Sequence, residues 1–292
     1  LCVVFDDLYA VGDGPQGAGL YVLPDRNHDD KADDVILLNK PKGGMGEHGP
    51  HDVVFGPDGW LYHNLGNHSW VQNTPEETSP SRNWEEGNLL DPAYEDAGGH
   101  AVGIKSPGGT IWRFTPDGKK WLAETVGFRN QYDICFNQHG DLFTFDSDME
   151  WDVNLPWYRP VRINHCIPGA EFGWRSGSKL WPDYFFDSLP TTVDVGRGSP
   201  TGVVFYEHSQ FPEKYRGAML NCDWSMGRII VSFMERDGAT YKGKWENLVT
   251  GNPLNVSDIE VDRDGSVVFC TGGRGTEGGI YRVTYTAGVA TT

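Results

Sequence analysis

Four side chains able to do acid–base or metal chemistry stand close together: Glu47, His48, His51 and Asp52. An imidazole beside a carboxylate is the usual equipment of a general base. Two imidazoles three residues apart can also ligate a metal. Turn histidines that bond backbone are the plain structural alternative. A second constellation is Asp25-Arg-Asn-His-Asp-Asp-Lys-Ala-Asp33. Asp25, Asn27, Asp29 and Asp33 repeat the oxygen spacing of the first part of a calcium loop, because calcium collects hard oxygens from a chain that curls on itself. Asp30 stands where Gly usually makes the bend, and no Glu closes the loop, so a solvated acidic turn stays open beside calcium. A third is Asp146-Ser-Asp-Met-Glu-Trp-Asp152. If that segment stays extended, Asp146, Asp148, Glu150 and Asp152 share one face and repel, so a cation or an arginine must sit among them. Arg159 and Arg162 are the arginines at hand. A fourth is Gly127-Phe-Arg-Asn130, where Arg129 suits an anionic cofactor or substrate, with a salt bridge to the acidic loop after Phe145 as the structural alternative.

The elements that position these groups follow one pattern. The stretch from Gly46 to Asn67 reads as a polar loop, a short apolar strand (Val53-Val-Phe55), a Pro57-Asp58-Gly59 turn and a return strand. The loop ahead holds Glu47, His48, His51 and Asp52, and the loop behind holds Asn67 and His68. The same strand–turn–strand unit returns at 132–143 and 259–269, with a looser copy at 203–233. Units recurring about every 40–70 residues predict an all-β chain with the β-propeller architecture, since one blade cannot bury both its faces alone. About five blades are readable, treated as a single domain spanning 1–292. Loops at equivalent positions of successive blades lie side by side, which would bring Arg129 and Asn130 to the mouth that holds His48. A polar insertion is expected at 73–96 and an aromatic one at 152–194, the latter carrying Trp157 and Tyr158. Such insertions are usually functional.

The totals narrow the function. The formal charge is −17, from 41 acidic and 24 basic residues, and a nucleic-acid binder would need a basic face. The balance fits a protein that handles cations or neutral polar ligands. No apolar run is long enough to span a bilayer. Five scattered cysteines form no C-x-x-C or C-x-x-C-H pattern, so neither a zinc knuckle nor covalent haem is encoded. Asn67-His-Ser69 and Asn255-Val-Ser257 match the glycosylation acceptor pattern. The chain opens in mid-strand with Leu1-Cys-Val-Val-Phe5, so an upstream segment is expected.

Glu47-His48 ahead of Phe55-Gly-Pro-Asp-Gly, then Gly127-Phe-Arg-Asn130, then Gly169-Ala-Glu-Phe-Gly-Trp174, resemble the soluble PQQ-dependent glucose and aldose dehydrogenases. Pro156-Trp-Tyr-Arg-Pro160, Cys222-Asp223-Trp224 and Thr271-Gly-Gly-Arg-Gly-Thr276 resemble more closely the propeller domain of planctomycete-type membrane-bound dehydrogenases. The resemblance implies a six-bladed propeller when complete and an extracytoplasmic setting. It implies oxidation of a sugar or other alcohol, with a c-type cytochrome as electron acceptor. It makes His48 the base, Glu47 its carboxylate partner, and Arg129 and Asn130 the border of quinone and substrate. It puts calcium at the acidic loop 146–152. Where the family holds PQQ with a Lys and a pair of Arg, Ser225, Asn255 and Ser257 stand here, with Arg228 and Arg274 on neighbouring loops as the remaining cations. PQQ is then either held differently or lost. The alternatives are a carbohydrate- or protein-binding propeller without turnover, and a metal-dependent hydrolase or lyase built on His48 and His51.

Overall fold

The computed structural model describes residues 1–82, 99–152, 155–175, 179–182 and 184–287. Consecutive antiparallel strands build each blade in chain order. The first blade is Cys2–Val4, Asp7–Gly14, Gly17–Leu23 and Ile36–Asn39. The second is Pro50–Phe55, Leu61–Leu65, Gly109–Phe114 and Trp121–Phe128. The third is Ile134–Phe136, Leu142–Asp146, Val161–His165 and Val193–Gly196. The fourth is Pro200–Tyr206, Ala218–Asp223, Arg228–Asp237 and Thr240–Thr250. The fifth has three strands, Val256–Val261, Val267–Thr271 and Gly279–Val283. This is the expected β-propeller arrangement with five blades. A short 3₁₀ turn at Glu213–Tyr215 interrupts the strands. Among the described residues no helix is long and apolar enough to cross a membrane.

The repeated turn has a repeated backbone. Gly59, Gly140 and Gly265 all sit at φ +81°, a left-handed conformation that costs Gly little. In the first copy Trp60 N–H donates to Asp58 Oδ1 at 3.2 Å, which closes the turn. Cys135 and Cys270 lie within strands and are partly buried. Burial pushes the Cys166 and Cys222 thiols up, so both act as small apolar groups.

The chain forms two compact units. Unit one is Leu1–Gln131, Glu150–Trp157 and Ile167–Pro190. Its core packs Leu20, Val53 and Leu61 with Trp112, Phe114 and Trp121, the last two rings stacked 4.4 Å apart. Unit two is Tyr132–Met149, Tyr158–Cys166 and Thr191–Thr292. It has two clusters, one around Phe143, Ile163 and Phe205, the other around Tyr206, Leu220 and Val256. The expected polar insertion lies outside the described residues from position 83 onward, and so do positions 153, 154, 176–178 and 183 of the aromatic one. What is described of the latter pairs Trp174–Arg175 with Lys179–Leu180 and bridges Glu171 to Val126.

Candidate functional site

The hairpin that carries the histidine loop contains a bulge at its site end. Pro50 pairs with Leu65 and Val53 with His63, so His51 and Asp52 together face Asn64 alone. The bulge is satisfied from within: Asp52 N–H donates to Asn64 Oδ1 at 2.8 Å. Asn64 Nδ2 in turn donates to the Gln131 carbonyl at 2.8 Å. Gln131 Nε2 donates to the carbonyls of Leu65 and Thr110. The return strand Leu61–Leu65 is buried at every position, including His63 and Asn64. Asn64 is satisfied at both ends there, while His63 has a partner at Nδ1 alone.

The loops before and behind this hairpin both meet the loop 127–131 directly. Asn67 N–H donates to the Arg129 carbonyl at 2.9 Å. Asn130 Nδ2 donates to the Glu47 carbonyl at 3.0 Å, and its Oδ1 accepts from His51 Nε2–H at 2.7 Å. Gly66 makes this approach feasible. A Cβ there would stand 2.3 Å from Asn130 Oδ1 and 2.7 Å from the His48 carbonyl.

His48 is 3 % exposed. Its Nδ1–H donates to Asn67 Oδ1 at 2.5 Å, which leaves Nε2 as the lone-pair nitrogen. Burial, and next the Arg129 guanidinium, pull the imidazole down to about 2, so it is neutral at any ordinary pH. Arg129 pairs with Glu150 at 3.2 Å. Burial likewise pulls His51 down, with the Asn130 hydrogen bond and then Asp52 and Glu47 opposing. His48, Arg129 and Asn130 therefore come together, as do His51 and Glu47. The residue that orients His48 is Asn67, where the sequence reading put Glu47. The sequence placed Asn67 in the loop behind the hairpin and matched it to a glycosylation acceptor, but at 1 % exposure Asn67 has no room for a glycan.

Two more histidines join the place. His68 follows the hairpin and His100 follows the second blade's long insertion. Their rings lie 4.7 and 4.4 Å from that of His48 and 5.0 Å from each other. Asn67 also lines an open cavity of about 760 Å³ with Lys42, Trp70, Gln72, Lys105 and Thr110. Lys42 Nζ sits 5.6 Å over the Trp70 ring. A flat aromatic surface beside amides and hydroxyls is suited to a polyhydroxylated guest.

The acidic loops differ from each other. In the first, Asp25 is buried, and its two oxygens accept the N–H groups of Asp29 and Asp30. Asn27 Oδ1 accepts from Asp29 N–H, and Asp33 Oδ2 from Arg26 N–H. Asp30 takes φ +61°, the bend that a Gly was expected to make. In the second, the strand ends at Asp146, and its carboxylates each meet protein groups. Within unit two Asp146 accepts from Arg162 at 3.2 Å, and Asp148 bonds the Tyr158 hydroxyl, which burial raises. Within unit one Glu150 holds Arg129, and Asp152 Oδ1 accepts from Leu180 N–H at 3.4 Å. Trp157 is exposed, with its N–H on the Leu155 carbonyl. Arginine thus meets two of the four carboxylates, Asp146 in unit two and Glu150 in unit one.

The expected cofactor residues of unit two are engaged elsewhere. Arg228 Nε donates to the fully buried Asp223 at 2.8 Å, and its other end to the Arg197 carbonyl. Arg274 lies 5.7 Å over the Trp224 ring, whose N–H donates to the Gly272 carbonyl. Asn255 and Ser257 donate to the carbonyls of Trp224 and Gly272, and Ser225 Oγ to Asp223. Ser225, Asn255 and Ser257 are neutral and Arg228 is neutralised by Asp223, while Arg274 keeps its charge over the Trp224 ring. They do not fit a quinone bearing several carboxylates.

No protein-family model matches the sequence, and no curated protein matches it. Solved structures do. A glucose dehydrogenase-type oxidoreductase from Thermus thermophilus aligns with a TM-score of 0.66 at 17 % identity, over 95 % of this chain and 78 % of that one. The PQQ-bound aldose sugar dehydrogenase from Streptomyces coelicolor aligns at 0.59 and 16 %, over 94 % and 74 %. The soluble aldose sugar dehydrogenase from Escherichia coli, in its apo form, aligns at 0.59 and 18 %, over 91 % and 74 %. At these identities the likeness is one of architecture: the chain has the β-propeller fold of the soluble glucose and aldose sugar dehydrogenases.

Proposed function

We propose that this propeller is an oxidoreductase acting on a sugar or another small alcohol in an extracytoplasmic setting. The observation that carries the reading is the meeting of His48 with Arg129 and Asn130 beside an amide- and aromatic-lined cavity. Neutral His48 offers its Nε2 lone pair to a substrate hydroxyl, while Arg129 and Asn130 orient the oxygen atoms around it. The neighbouring sugar dehydrogenases make the substrate class the natural one, and the planctomycete-type resemblance makes a c-type cytochrome the acceptor. Calcium has its place on Asp25, Asn27, Asp29 and Asp33 as a structural ion. Taking a hydride from the alcohol carbon needs a two-electron acceptor ahead of a one-electron cytochrome, and a bound quinone would supply it, held otherwise than at the expected cradle of Ser225, Asn255 and Ser257, which are neutral and already bonded.

That same cradle favours a second reading, a carbohydrate-binding propeller without turnover. One set of measurements separates the two. Purified protein is titrated with aldoses and small alcohols by calorimetry, then assayed for dye reduction with and without added calcium and PQQ. Binding with turnover, lost in His48→Gln, is the expected outcome. Binding without turnover selects the second reading, and absence of both rejects the site. Chelation should also lower the melting temperature, and an unchanged melt removes calcium from the first loop.

A further inference from the structure

His48, His68 and His100 come from three separate loops, yet their ligand nitrogens all lie within 4.8 Å of one another. Packing alone explains this poorly, because protonated imidazoles at such spacing repel and neutral ones gain little by meeting. Two of the three are rigidly placed. His68 N–H donates to the His48 carbonyl at 3.1 Å, and the His68 carbonyl accepts from Gly44 N–H at 2.9 Å. The ribbon pairing Lys42–Gly43 with Ser69–Trp70 continues directly from there. His48 has its tautomer fixed by Asn67, with Nε2 as the acceptor nitrogen. A ligating histidine is typically oriented in this way, its other nitrogen donating to an outer group. Exposure is graded across the trio: His48 is buried, His68 half-buried and His100 exposed. One side of the cluster is therefore walled by protein and the other faces solvent.

We propose that His48, His68 and His100 bind one divalent transition-metal ion of the zinc class, with a fourth coordination position open to solvent or substrate oxygen. Three neutral nitrogens suit zinc, cobalt, nickel or copper and not calcium or magnesium, which want hard oxygens. Three protein ligands and one open position is the composition of a catalytic rather than a structural zinc site. A tetrahedral ion with bonds of about 2.0–2.1 Å needs its nitrogens roughly 3.3 Å apart. Rotation of the half-buried His68 and exposed His100 side chains about their fixed backbones would close the set from within 4.8 Å to that spacing. Arg129 is the cation facing the cluster, and its pairing with Glu150 offsets the charge.

The inference goes beyond the oxidoreductase reading and does not depend on turnover. A metal on Nε2 removes the lone pair that the reading gives to a substrate hydroxyl, and transfers proton acceptance to a metal-bound water. Untagged full-length protein, stripped with a chelator, is titrated with Co²⁺ and followed by visible absorption, then challenged with Zn²⁺. One Co²⁺ per chain with the intense bands of a four-coordinate site, displaced by Zn²⁺, is the expected result. His100→Ala, an exposed position that leaves the fold intact, should abolish those bands. Asn67→Ser should weaken affinity by about 10–100-fold, the usual loss for an outer-shell partner. No Co²⁺ band, or a band equally strong in His100→Ala and His68→Ala, overturns the proposal. Thermal melts of each variant confirm that a lost band is not a lost fold.

Discussion

His63 shows how much a single buried imidazole constrains this chain. Its Nδ1–H donates to the Asp52 carbonyl at 2.7 Å, while its Nε2 is buried with no hydrogen-bond partner. Burial pulls it down to about 4, against an ordinary value of 6.5. Above pH 6.5 both folded and unfolded forms are neutral there, and the group has no effect. Below it the unfolded chain takes a proton that the folded chain refuses, so stability falls as pH drops from 6.5 towards 4. The limiting slope is about 1.4 kcal/mol per pH unit for one such group. Urea midpoints at pH 7.5, 6 and 4.5 should show this loss, and His63→Gln should flatten it. Equal slopes in both proteins would mean that His63 is protonated when folded. At this scale the sequence was partly legible. His48, Arg129 and Asn130 stood out because polar residues in Gly-rich loops before strands invite a functional reading. Asn67 did not, since an amide that orients an imidazole leaves no pattern. His100 did not either, because it follows a long insertion that carries no periodicity.

Among the elements, the bulged hairpin is what turns a strand into a platform. Register shifts recur at the same place in the first strands of the fourth and fifth blades, between Pro200 and Val203 and between Val256 and Asp258. Ahead of the first strands of the third and fifth blades, Asp133 and Asp258 each accept the next residue's N–H, of Ile134 and Ile259. The strand–turn–strand units were legible because their glycines and apolar alternation repeat. The bulges were not, because an extra residue in one strand is visible only against its partner. Gly66 is the tightest part of the platform. Gly66→Ala must push Asn130 or the His48 carbonyl aside, with a cost of about 1–3 kcal/mol as for other overpacked sites. A denaturant melt should record that loss, together with weaker Co²⁺ binding. A variant as stable as the parent would show that the two loops can part without penalty.

For the molecule as a whole, net charge is an influence that no single contact reveals. A chain carrying −17 repels itself when compact, and salt screens that repulsion over a Debye length of about 10 Å at 0.1 M. Raising sodium chloride from low to physiological strength should therefore raise the melting temperature. A fall would mean that specific pairs such as Arg113 with Glu124 and Arg162 with Asp146 outweigh the net charge. The propeller class was legible from repetition alone. The division into two compact units was not, because chain segments around 150–157 and 167–190 join the first unit out of sequence order.

The sealed position of Asn67 bears on how the protein can be made. A eukaryotic secretory host attaches oligosaccharide to Asn-His-Ser while the polypeptide is still extended. At 1 % exposure the finished fold has nowhere to put such an adduct. Bacterial production avoids the conflict, and it preserves the amide on which the orientation of His48 depends.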